Sequence, residues 1–364
     1  MKRFWELVMS SRGADRVYCL PFALLFRLMT PLYQFFSRRQ LESRHKACSG
    51  GWQARVISVG NITVGGSGKT PIVIYLAQQF LSGGKKVAIV HSGYGRMKKN
   101  DLLFNSAKGR EYPIDRIGDE VAMMAQMLPN VAFAVGRDKK TMVTMVDREH
   151  KPDVILIDDG YQRLDIKKDL DIAVVGAELL IHDTSVWKRL LHLFPGGILR
   201  EPMSALARAD ALFLAGSAPD LSLIKDIAML RTYNSRAAMV SWQLGVTEVE
   251  CDGNNLPVKT LRERRPYLFA GIGSYARLKN MIKDLDLNLA GDYDFGDHFD
   301  YDRSDFEMLK RLSDGTGADC YLTTAKDRVK LPGSGLDKPL YCLLLRAQPT
   351  DRHVVDGLLG LDLS

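Results

Sequence analysis

A glycine-rich segment near residue 65 carries the residue types that bind phosphate. Residues 63–70 read TVGGSGKT and follow a short apolar run. In such a loop the backbone N–H groups close around phosphate oxygens, the lysine adds a positive charge and the last hydroxyl can reach Mg²⁺. The segment therefore predicts a nucleotide site that takes ATP with Mg²⁺. Its predicted contacts are Thr63, Val64, Gly65, Gly66, Ser67, Gly68, Lys69 and Thr70.

One position departs from the usual phosphate-loop pattern, which has a glycine where this chain has Thr63. Gly65 and Gly66 can supply the backbone freedom instead, because glycine adopts conformations closed to other residues. The alternative is a glycine-rich turn that binds only a structural anion. The apolar run at 54–59 and the helical pattern at 71–81 favour the nucleotide site, since strand, loop and helix are the context it needs.

Two aspartates end another apolar run, where they can hold a metal ion. Asp158 and Asp159 directly follow the sequence VILI. A carboxylate at the carboxyl end of a neighbouring strand can bind phosphate-bound Mg²⁺, directly or through water. Paired aspartates also form plain turns, but beside a phosphate loop the metal interpretation is the stronger one. We therefore predict Thr70, Asp158 and Asp159 as the metal ligands.

Asp119, Glu201 and His298 are further candidates, and their residue types leave the roles open. Asp119 opens a predicted helix, where an N-cap is a more natural assignment than a proton acceptor in a cleft. Glu201 ends the loop PGGILRE and could orient Lys69 or a metal, or could simply start a helix. His298 follows Asp297, and such pairs occur more often on surfaces than in catalytic sites.

Short apolar runs are the elements that must position these residues. Most are continuous rather than alternating, which is typical of strands covered by helices on both faces. We predict an α/β fold: a P-loop NTPase-type, mostly parallel sheet with flanking helices, a second smaller α/β domain and an N-terminal membrane-associating helix. The runs are 54–59, 86–90, 131–135, 154–157, 172–175, 211–214, 267–270, 320–323 and 340–345, with extended pieces at 240–249 and 256–261.

These patterns divide the chain into four predicted segments. Residues 1–45 form a membrane-helix region and residues 46–217 the phosphate-loop core. Residues 218–265 form a linker with extended strands around the turn-like sequence DGNN, and residues 266–364 form the smaller α/β domain.

The N-terminal segment and the net charge both indicate what kinds of partner the protein binds. Val17–Phe36 is apolar, is interrupted by Arg27 and two prolines, and has basic residues on both sides. This pattern predicts a helix lying in a membrane interface, with a helix packed on its own domain as the alternative. The net charge of +7 favours a polyanionic partner, whether nucleic acid, anionic membrane or phosphorylated substrate. The five scattered cysteines form no C-x-x-C pair, so a zinc or redox site is not expected.

Nine short motifs in order resemble the tetraacyldisaccharide 4′-kinase family, the lipid A kinases of Gram-negative bacteria. In that family Thr63 is not a departure, because a serine or threonine stands there. The motifs are SVGNITVGGSGKTP (58–71), SGYGR (92–96), GDE (118–120), VGRD (135–138), DDGYQ (158–162), PGGILRE (195–201), AGIG (270–273), GDHFDY (296–301) and TTAKDRVKL (323–331).

The resemblance implies transfer of the ATP γ-phosphoryl group to the 4′-hydroxyl of a tetraacyl glucosamine disaccharide 1-phosphate. It implies an enzyme at the cytoplasmic face of the bacterial inner membrane, with a lipid disaccharide and the membrane surface as partners. A monomer is expected, and no nucleic acid. Lys69 matches the phosphate-loop lysine, Asp119 the proposed base and His298 its proposed partner, which reverses the preference from residue types alone. Glu201 matches an acidic residue near the nucleotide.

The chain departs from the family motifs at several positions, and two other functions are alternatives to the kinase. Where the family commonly reads SRGYGR, this chain has His91-Ser92-Gly93, so an arginine is absent. It has Tyr161 and Arg163 where the family usually reads DDGLQH, and Ala325 replaces the glutamate of the usual TEKD. A GTPase-like nucleotide switch would use the same loop, but it usually carries an N-K-x-D segment, which is not found here. A nucleic-acid-dependent ATPase is supported only by the basic pI of about 9.0.

Overall fold

The structure is a computed structural model in which helices and strands are defined for most of the chain. It describes residues 14–93, 96–97, 100–107, 113–176, 179, 192–216, 221–273, 275–297, 299–331 and 335–361; side chains are described from residue 28 onwards, except at 221–225. The strands are β1 Arg55–Gly60, β2 Val87–His91, β3 Leu102–Asn105, β4 Ala132–Val135, β5 Val154–Asp158, β6 Leu170–Val175, β7 Ala211–Ala215, β8 Ala238–Cys251, β9 Asn254–Pro257, β10 Pro266–Ala270, β11 Gly291–Asp294, β12 Cys320–Thr324 and β13 Leu340–Pro349.

The helices complete the secondary structure. They are α1 Ala14–Lys46, α2 Lys69–Ser82, α3 Ile114–Ile117, α4 Asp119–Met127, α5 Lys139–His150, α6 Leu221–Tyr233, α7 Tyr275–Asp284, α8 Arg303–Asp314, α9 Ala325–Arg328 and α10 Arg352–Leu359, with short 3₁₀ helices at Met203–Arg208 and Val258–Glu263.

The chain folds into two compact units, each of which is made of separate segments of the sequence. The first comprises Met1–Ser92, Val131–Gln243 and Pro349–Ser364, and the second comprises Gly93–Asn130 and Leu244–Gln348. Residues 93–130 therefore cluster with C-terminal residues, whereas the sequence pattern placed them in the segment 46–217. The segment boundaries drawn from the sequence stay predictions.

The first unit is built on a parallel sheet with the order β8–β7–β6–β1–β5–β2–β4. The central strands are buried along their length, since they consist almost entirely of Val, Ile, Leu and Ala. Helix α2 packs on β1, β2 and β5, and α5 packs on β2, β4 and β5. The predicted mostly parallel sheet with flanking helices is confirmed.

The second unit has its own parallel strands in the order β11–β10–β12–β13, with the C-terminal half of β8 beside β13. Strand β9 pairs antiparallel with β8 through a tight turn at Asp252 and Gly253, which both have positive φ. The extended piece predicted at 256–261 was wrong beyond Pro257, because residues 258–263 form a 3₁₀ helix. Strands β3 and β11 were not predicted; β11 reads GDYD and lacks an apolar run.

The predicted N-terminal helix is confirmed as α1, and two of its side chains hold it against a loop of the same unit. The hydroxyl of Thr30 accepts a hydrogen bond from the backbone N–H of Gly196 at 3.1 Å. The ring of Tyr33 lies edge-to-face on Phe194, with 5.2 Å between centroids. These contacts fix one face of the helix on the protein.

From residue 28 to residue 39, the other face of α1 is mostly apolar and exposed. Leu28 is 70% exposed, Leu32 58%, Phe35 51% and Phe36 61%, and the guanidinium of Arg39 lies 4.5 Å from the Phe35 ring centroid. Residues 28, 32, 35, 36 and 39 share one side of a helix because of its period of about 3.6 residues. Among the residues that the structure describes, no helix is long and apolar enough to cross a membrane.

Candidate phosphate-binding site

The glycine-rich loop lies where β1 ends and α2 begins. Gly65 has φ 102° and Gly68 has φ 84°, a region of backbone space that favours glycine. Gly68 is also the N-cap of α2, and a Cβ there would lie 2.3 Å from the Trp242 ring. Backbone conformation and close packing therefore both require glycine at position 68. The loop brings its N–H groups to the positive end of a helix, which is the arrangement that binds phosphate.

The side chain of Asn61 holds this loop in place through hydrogen bonds. Its side chain is fully buried, and its amide donates to the hydroxyl groups of Thr63 and Ser67, each at 2.9 Å. Its carbonyl oxygen accepts a hydrogen bond from Lys69 Nζ at 3.2 Å. One side chain thus connects three of the predicted nucleotide contacts, and a loop held in this way needs little rearrangement to bind a ligand.

The ammonium group of Lys69 contacts one neutral acceptor, the Asn61 carbonyl, and one acidic acceptor, the Asp159 carboxylate. Besides Asn61, its ammonium group forms an ion pair with Asp159 Oδ1 at 3.3 Å, and Arg200 Nη1 approaches the same carboxylate at 3.1 Å. Burial by itself raises the pKa of Asp159, but the charges of Lys69, Arg200 and Lys139 hold it well below its usual range. Asp159 is therefore ionised and orients two cations at the mouth of the loop.

Asp158 lies beside Thr70, as the metal prediction requires. The Thr70 hydroxyl donates to Asp158 Oδ2 at 3.3 Å, and His91 Nε2 lies 3.8 Å from the same oxygen. A hydroxyl and a carboxylate are ligands that Mg²⁺ accepts, and the ion usually takes few protein ligands beside phosphate and water. The donor set therefore fits Mg²⁺, although no group of three acidic, histidine or cysteine ligands occurs among the described residues.

A buried lysine sets the shape of the Asp158–Asp159 turn. Lys139 is 5% exposed, and its ammonium group donates to the backbone carbonyls of Asp158 at 2.6 Å and Asp159 at 2.7 Å. Asp159 has φ 54°, which is uncommon for a residue other than glycine. Burial lowers the pKa of Lys139 to about 8. The lysine thus satisfies the backbone carbonyls of two consecutive residues.

Glu201 is buried and reaches the loop through another side chain. It is 3% exposed, and its Oε1 accepts hydrogen bonds from Gln162 Nε2 at 2.8 Å and from Arg208 Nη2 at 2.6 Å. Gln162 also donates to the backbone carbonyl of Asn61 at 2.8 Å. Glu201 therefore acts on the loop indirectly, through Gln162.

Asp119 belongs to the second unit and starts α4. The N-cap is Gly118 rather than Asp119, so the N-cap assignment was wrong by one residue. Asp119 Oδ1 accepts a hydrogen bond from the N–H of Glu120 at 2.9 Å, and Oδ2 lies 3.6 Å from Lys330 Nζ and 3.8 Å from Lys326 Nζ. The prediction for His298 falls outside the described residues.

Sequence reasoning missed three polar residues of these sites. Asn61 and Lys330 both lie inside family motifs, but neither was given a role. Lys139 directly follows VGRD, and a lysine at the start of a helix carries no signal of burial. A buried lysine becomes recognisable only when the carbonyls that surround it are known.

The chain is similar over most of its length to known kinases of one family. The family model described as LpxK, tetraacyldisaccharide-1-P 4′-kinase, matches residues 16–360. The tetraacyldisaccharide 4′-kinase of Pelobacter propionicus is 32% identical over 319 residues, covering 86% of this chain and 82% of that protein. The enzyme of the same name from Aquifex aeolicus is 32% identical over 278 residues, covering 76% and 79%.

A solved structure of that family also matches. The crystal structure of the "apo" form of LpxK from Aquifex aeolicus in complex with ATP has a TM-score of 0.71 and 27% identity, and the match covers 95% of this chain and 98% of that chain. The similarity therefore extends over nearly the whole of both chains.

Proposed function

This chain belongs to the tetraacyldisaccharide-1-P 4′-kinase family, and we propose a role for each part of its site in that reaction. The chain is an ATP-dependent phosphotransferase. It phosphorylates the 4′-hydroxyl of a tetraacyl glucosamine disaccharide 1-phosphate, which gives lipid IVA in lipid A biosynthesis. The GTPase-like alternative is set aside, because the relatives are named kinases and the matching structure was solved with ATP.

The phosphate loop forms the donor side of the proposed site. The observation that supports this most strongly is the position of Lys69 and Thr70 at the start of α2, with Asp159 and Asp158 facing them. Backbone N–H groups of residues 65–68 and the ammonium of Lys69 would bind the phosphates, and Thr70 and Asp158 would hold Mg²⁺. The N–H of Val64, which was also a predicted contact, donates instead to the carbonyl of Ile198 at 2.8 Å. Bound Mg²⁺ neutralises negative charge on the phosphates of the nucleotide. Glu201 keeps Gln162 against the loop.

Asp159 has a separate role in this proposal. Its ionised carboxylate is shared by Lys69 and Arg200, so both cations are held near the loop before a nucleotide arrives. Cationic side chains that the protein already holds in place lose less conformational entropy on binding a polyanion than flexible side chains do. Asp159 thus prepares the site for phosphate, and it would serve with Thr70 and Asp158 as a ligand of the metal.

We assign Asp119 the role of general base for the 4′-hydroxyl. Phosphoryl transfer depends mostly on positioning and charge neutralisation, so the hydroxyl needs only modest help from a base. His298 is its proposed partner on the strength of the family motif GDHFDY. Both roles rest on the resemblance and on the burial of Asp119, which is 8% exposed.

The exposed face of α1 supports a membrane surface as the second partner. A contiguous apolar face is unusual on a protein surface unless it binds something. Its basic neighbours, Arg38 and Arg39, are exposed and suit anionic headgroups. The acyl chains of the substrate stay in the bilayer, so we propose peripheral association with the cytoplasmic face of the inner membrane. The monomeric state and the absence of a nucleic-acid partner remain predictions.

One assay tests the proposed reaction. Purified protein is incubated with γ-labelled ATP, Mg²⁺ and detergent-dispersed disaccharide 1-phosphate, and the lipids are separated by charge. We expect a labelled bisphosphorylated lipid, and none with an acceptor that lacks the 4′-hydroxyl. Absence of transfer to the authentic acceptor, together with hydrolysis of GTP by the same preparation, would overturn the proposal.

A further inference from the structure

The motif TTAKDRVKL has no role in the reaction described so far, yet two of its lysines face Asp119. Lys330 Nζ lies 3.6 Å and Lys326 Nζ 3.8 Å from Asp119 Oδ2. The Lys330 side chain is only 5% exposed, whereas that of Lys326 is 19% exposed. Because an ion pair is stronger where water is excluded, Lys330 is the more important partner.

Lys330 also contacts the segment that carries His298. Its ammonium group donates to the backbone carbonyl of Phe299 at 3.1 Å. The Phe299 ring packs in an aromatic cluster, 4.6 Å from the Phe295 centroid and 5.2 Å from that of Tyr301. The carbonyl of Phe299 is therefore part of a well-packed region. The buried ammonium of Lys330 connects the GDE motif, which contains Asp119, with the GDHFDY motif, which contains Phe299.

The backbone that carries the two lysines is itself anchored. Asp327 is fully buried, and its carboxylate accepts hydrogen bonds from the Gly271 N–H at 2.9 Å, the Tyr301 hydroxyl at 3.0 Å and the Thr324 hydroxyl at 2.6 Å. Since α9 has only four residues, these bonds rather than helix length hold it in place. Lys326 and Lys330 are thereby presented from a rigid support.

We propose that Lys330 is a positioning residue for the phosphoryl transfer, which orients the Asp119 carboxylate and ties it to the GDHFDY segment. The proposal rests on the proposed role of Asp119 as base. Asp119 Oδ1 accepts a hydrogen bond from the Glu120 N–H and Oδ2 forms an ion pair with Lys330, so each oxygen of the carboxylate has a partner in the second unit. A base restrained in this way keeps its geometry while the hydroxyl approaches. Lys326 is an auxiliary cation at the more exposed edge.

The test compares Lys330→Met, Lys330→Arg and the matched control Arg328→Met in the kinase assay. Arg328 lies on α9 too, but its charged partner is Glu250, at 3.9 Å. We expect Lys330→Met to lower kcat by about tenfold or more, with the KM for ATP changed less than about twofold, because positioning affects the chemical step. Lys330→Arg should restore part of kcat, and Arg328→Met should behave like the unmodified protein.

A double-mutant cycle with Asp119→Asn separates this proposal from the assignment of the reaction. If Lys330 acts through Asp119, the loss in kcat for the double variant is smaller than the product of the two single losses. Equal kcat for Lys330→Met and Arg328→Met, with Asp119→Asn impaired, would overturn the role of Lys330 and leave the base intact. A fully active Asp119→Asn variant would overturn both roles.

Thermal unfolding supplies a readout that does not depend on activity. The two single substitutions and the double substitution are compared by Tm. We expect the Tm loss of the double variant to be smaller than the sum of the single losses, because both single variants break the same ion pair. Additive losses would show that Lys330 and Asp119 do not interact, and the proposal would be abandoned even if no lipid were phosphorylated.

Discussion

The hydroxyl of Thr70 lies 3.3 Å from Asp158 Oδ2, although 88 positions separate the two residues in the chain. Thr70 belongs to the first turn of α2, and Asp158 ends β5, which pairs directly with β1. Parallel pairing of the two strands therefore puts a carboxylate beside the phosphate loop. The pair brings together two of the three predicted metal ligands, Thr70 and Asp158; the third is Asp159.

Asp158→Asn should raise the Mg²⁺ concentration needed for half-maximal activity by about tenfold or more, because a neutral amide is a weaker ligand for a hard cation. The measurement is a Mg²⁺ titration of the kinase assay, together with binding of a fluorescent ATP analogue with and without Mg²⁺. Asp284→Asn, at an exposed position on α7, is the control. An unchanged Mg²⁺ requirement and unchanged Mg²⁺-dependent binding would move the metal site elsewhere.

Lys69→Ala and Asp119→Ala should damage the enzyme in different ways. Lys69 is predicted to hold phosphates in both ground and transition states, so its loss should weaken ATP binding and lower kcat by about a hundredfold. Asp119→Ala should lower kcat by about a hundredfold and leave ATP affinity nearly unchanged. Steady-state kinetics and direct ATP binding measure both effects, with Lys85→Ala as an exposed control. A large effect of Asp119→Ala on ATP affinity would reassign that residue to nucleotide binding.

Gly68→Ala should destabilise the first unit by about 1–3 kcal/mol, because alanine resists the observed φ of 84°. The added Cβ would also lie 2.3 Å from the Trp242 ring. Gly66→Ala is the matched comparison for stability, since a Cβ at that position meets nothing within 4 Å. Thermal or urea unfolding decides between them, and equal stability of the two variants would contradict the packing argument.

Leu32→Asp combined with Phe36→Asp should release the protein from lipid vesicles. Each apolar side chain that enters a membrane interface contributes about 1.5–3 kcal/mol, so the double substitution should reduce binding by far more than tenfold. Flotation with vesicles that contain anionic phospholipid is the measurement. Leu312→Asp, at a residue that is 37% exposed on α8, is the control. Continued flotation of the double variant would mean that another surface binds the membrane.

Asp138 should make a stability contribution that disappears in acid. Burial would raise its pKa, but hydrogen bonds from Thr141 and Arg163 and the charge of Arg163 lower it to about 2. A depressed folded-state pKa stabilises the protein above the unfolded value near 3.8, and this stabilisation is lost as the pH falls through about 2. Because the side chain is 57% exposed, screening keeps the effect to about 1 kcal/mol or less.

The measurement for Asp138 is urea unfolding of the unmodified protein and of Asp138→Asn at several pH values. The difference in unfolding free energy between the two should be constant from pH 5 to 7 and should shrink towards pH 2. A difference that does not change with pH would mean that the carboxylate charge makes no contribution.

Much of the fold was predictable because the relevant signals are local. Continuous apolar runs predicted the strands that surround the site, and small residues before a lysine and threonine predicted the phosphate loop. Strand β11 escaped because its sequence, GDYD, has no apolar run, and β3 escaped because its apolar run, the first three residues of LLFN, is very short. The 3₁₀ helix after Pro257 was predicted as an extended piece for a different reason, since apolar residues in a short helix resemble those in a strand.

The sequence by itself determined which residues could bind phosphate and which runs could form strands, since glycine freedom, charge and apolar spacing are properties of neighbouring residues. Only the tertiary structure decided which partners those residues have. The parallel register of β1 and β5 brought Asp158 to Thr70. The packing of α5 placed the buried Lys139 against the backbone carbonyl of Asp158, and the fold of the second unit brought Lys330 to Asp119. Such contacts depend on the packing of distant segments, which no local pattern encodes.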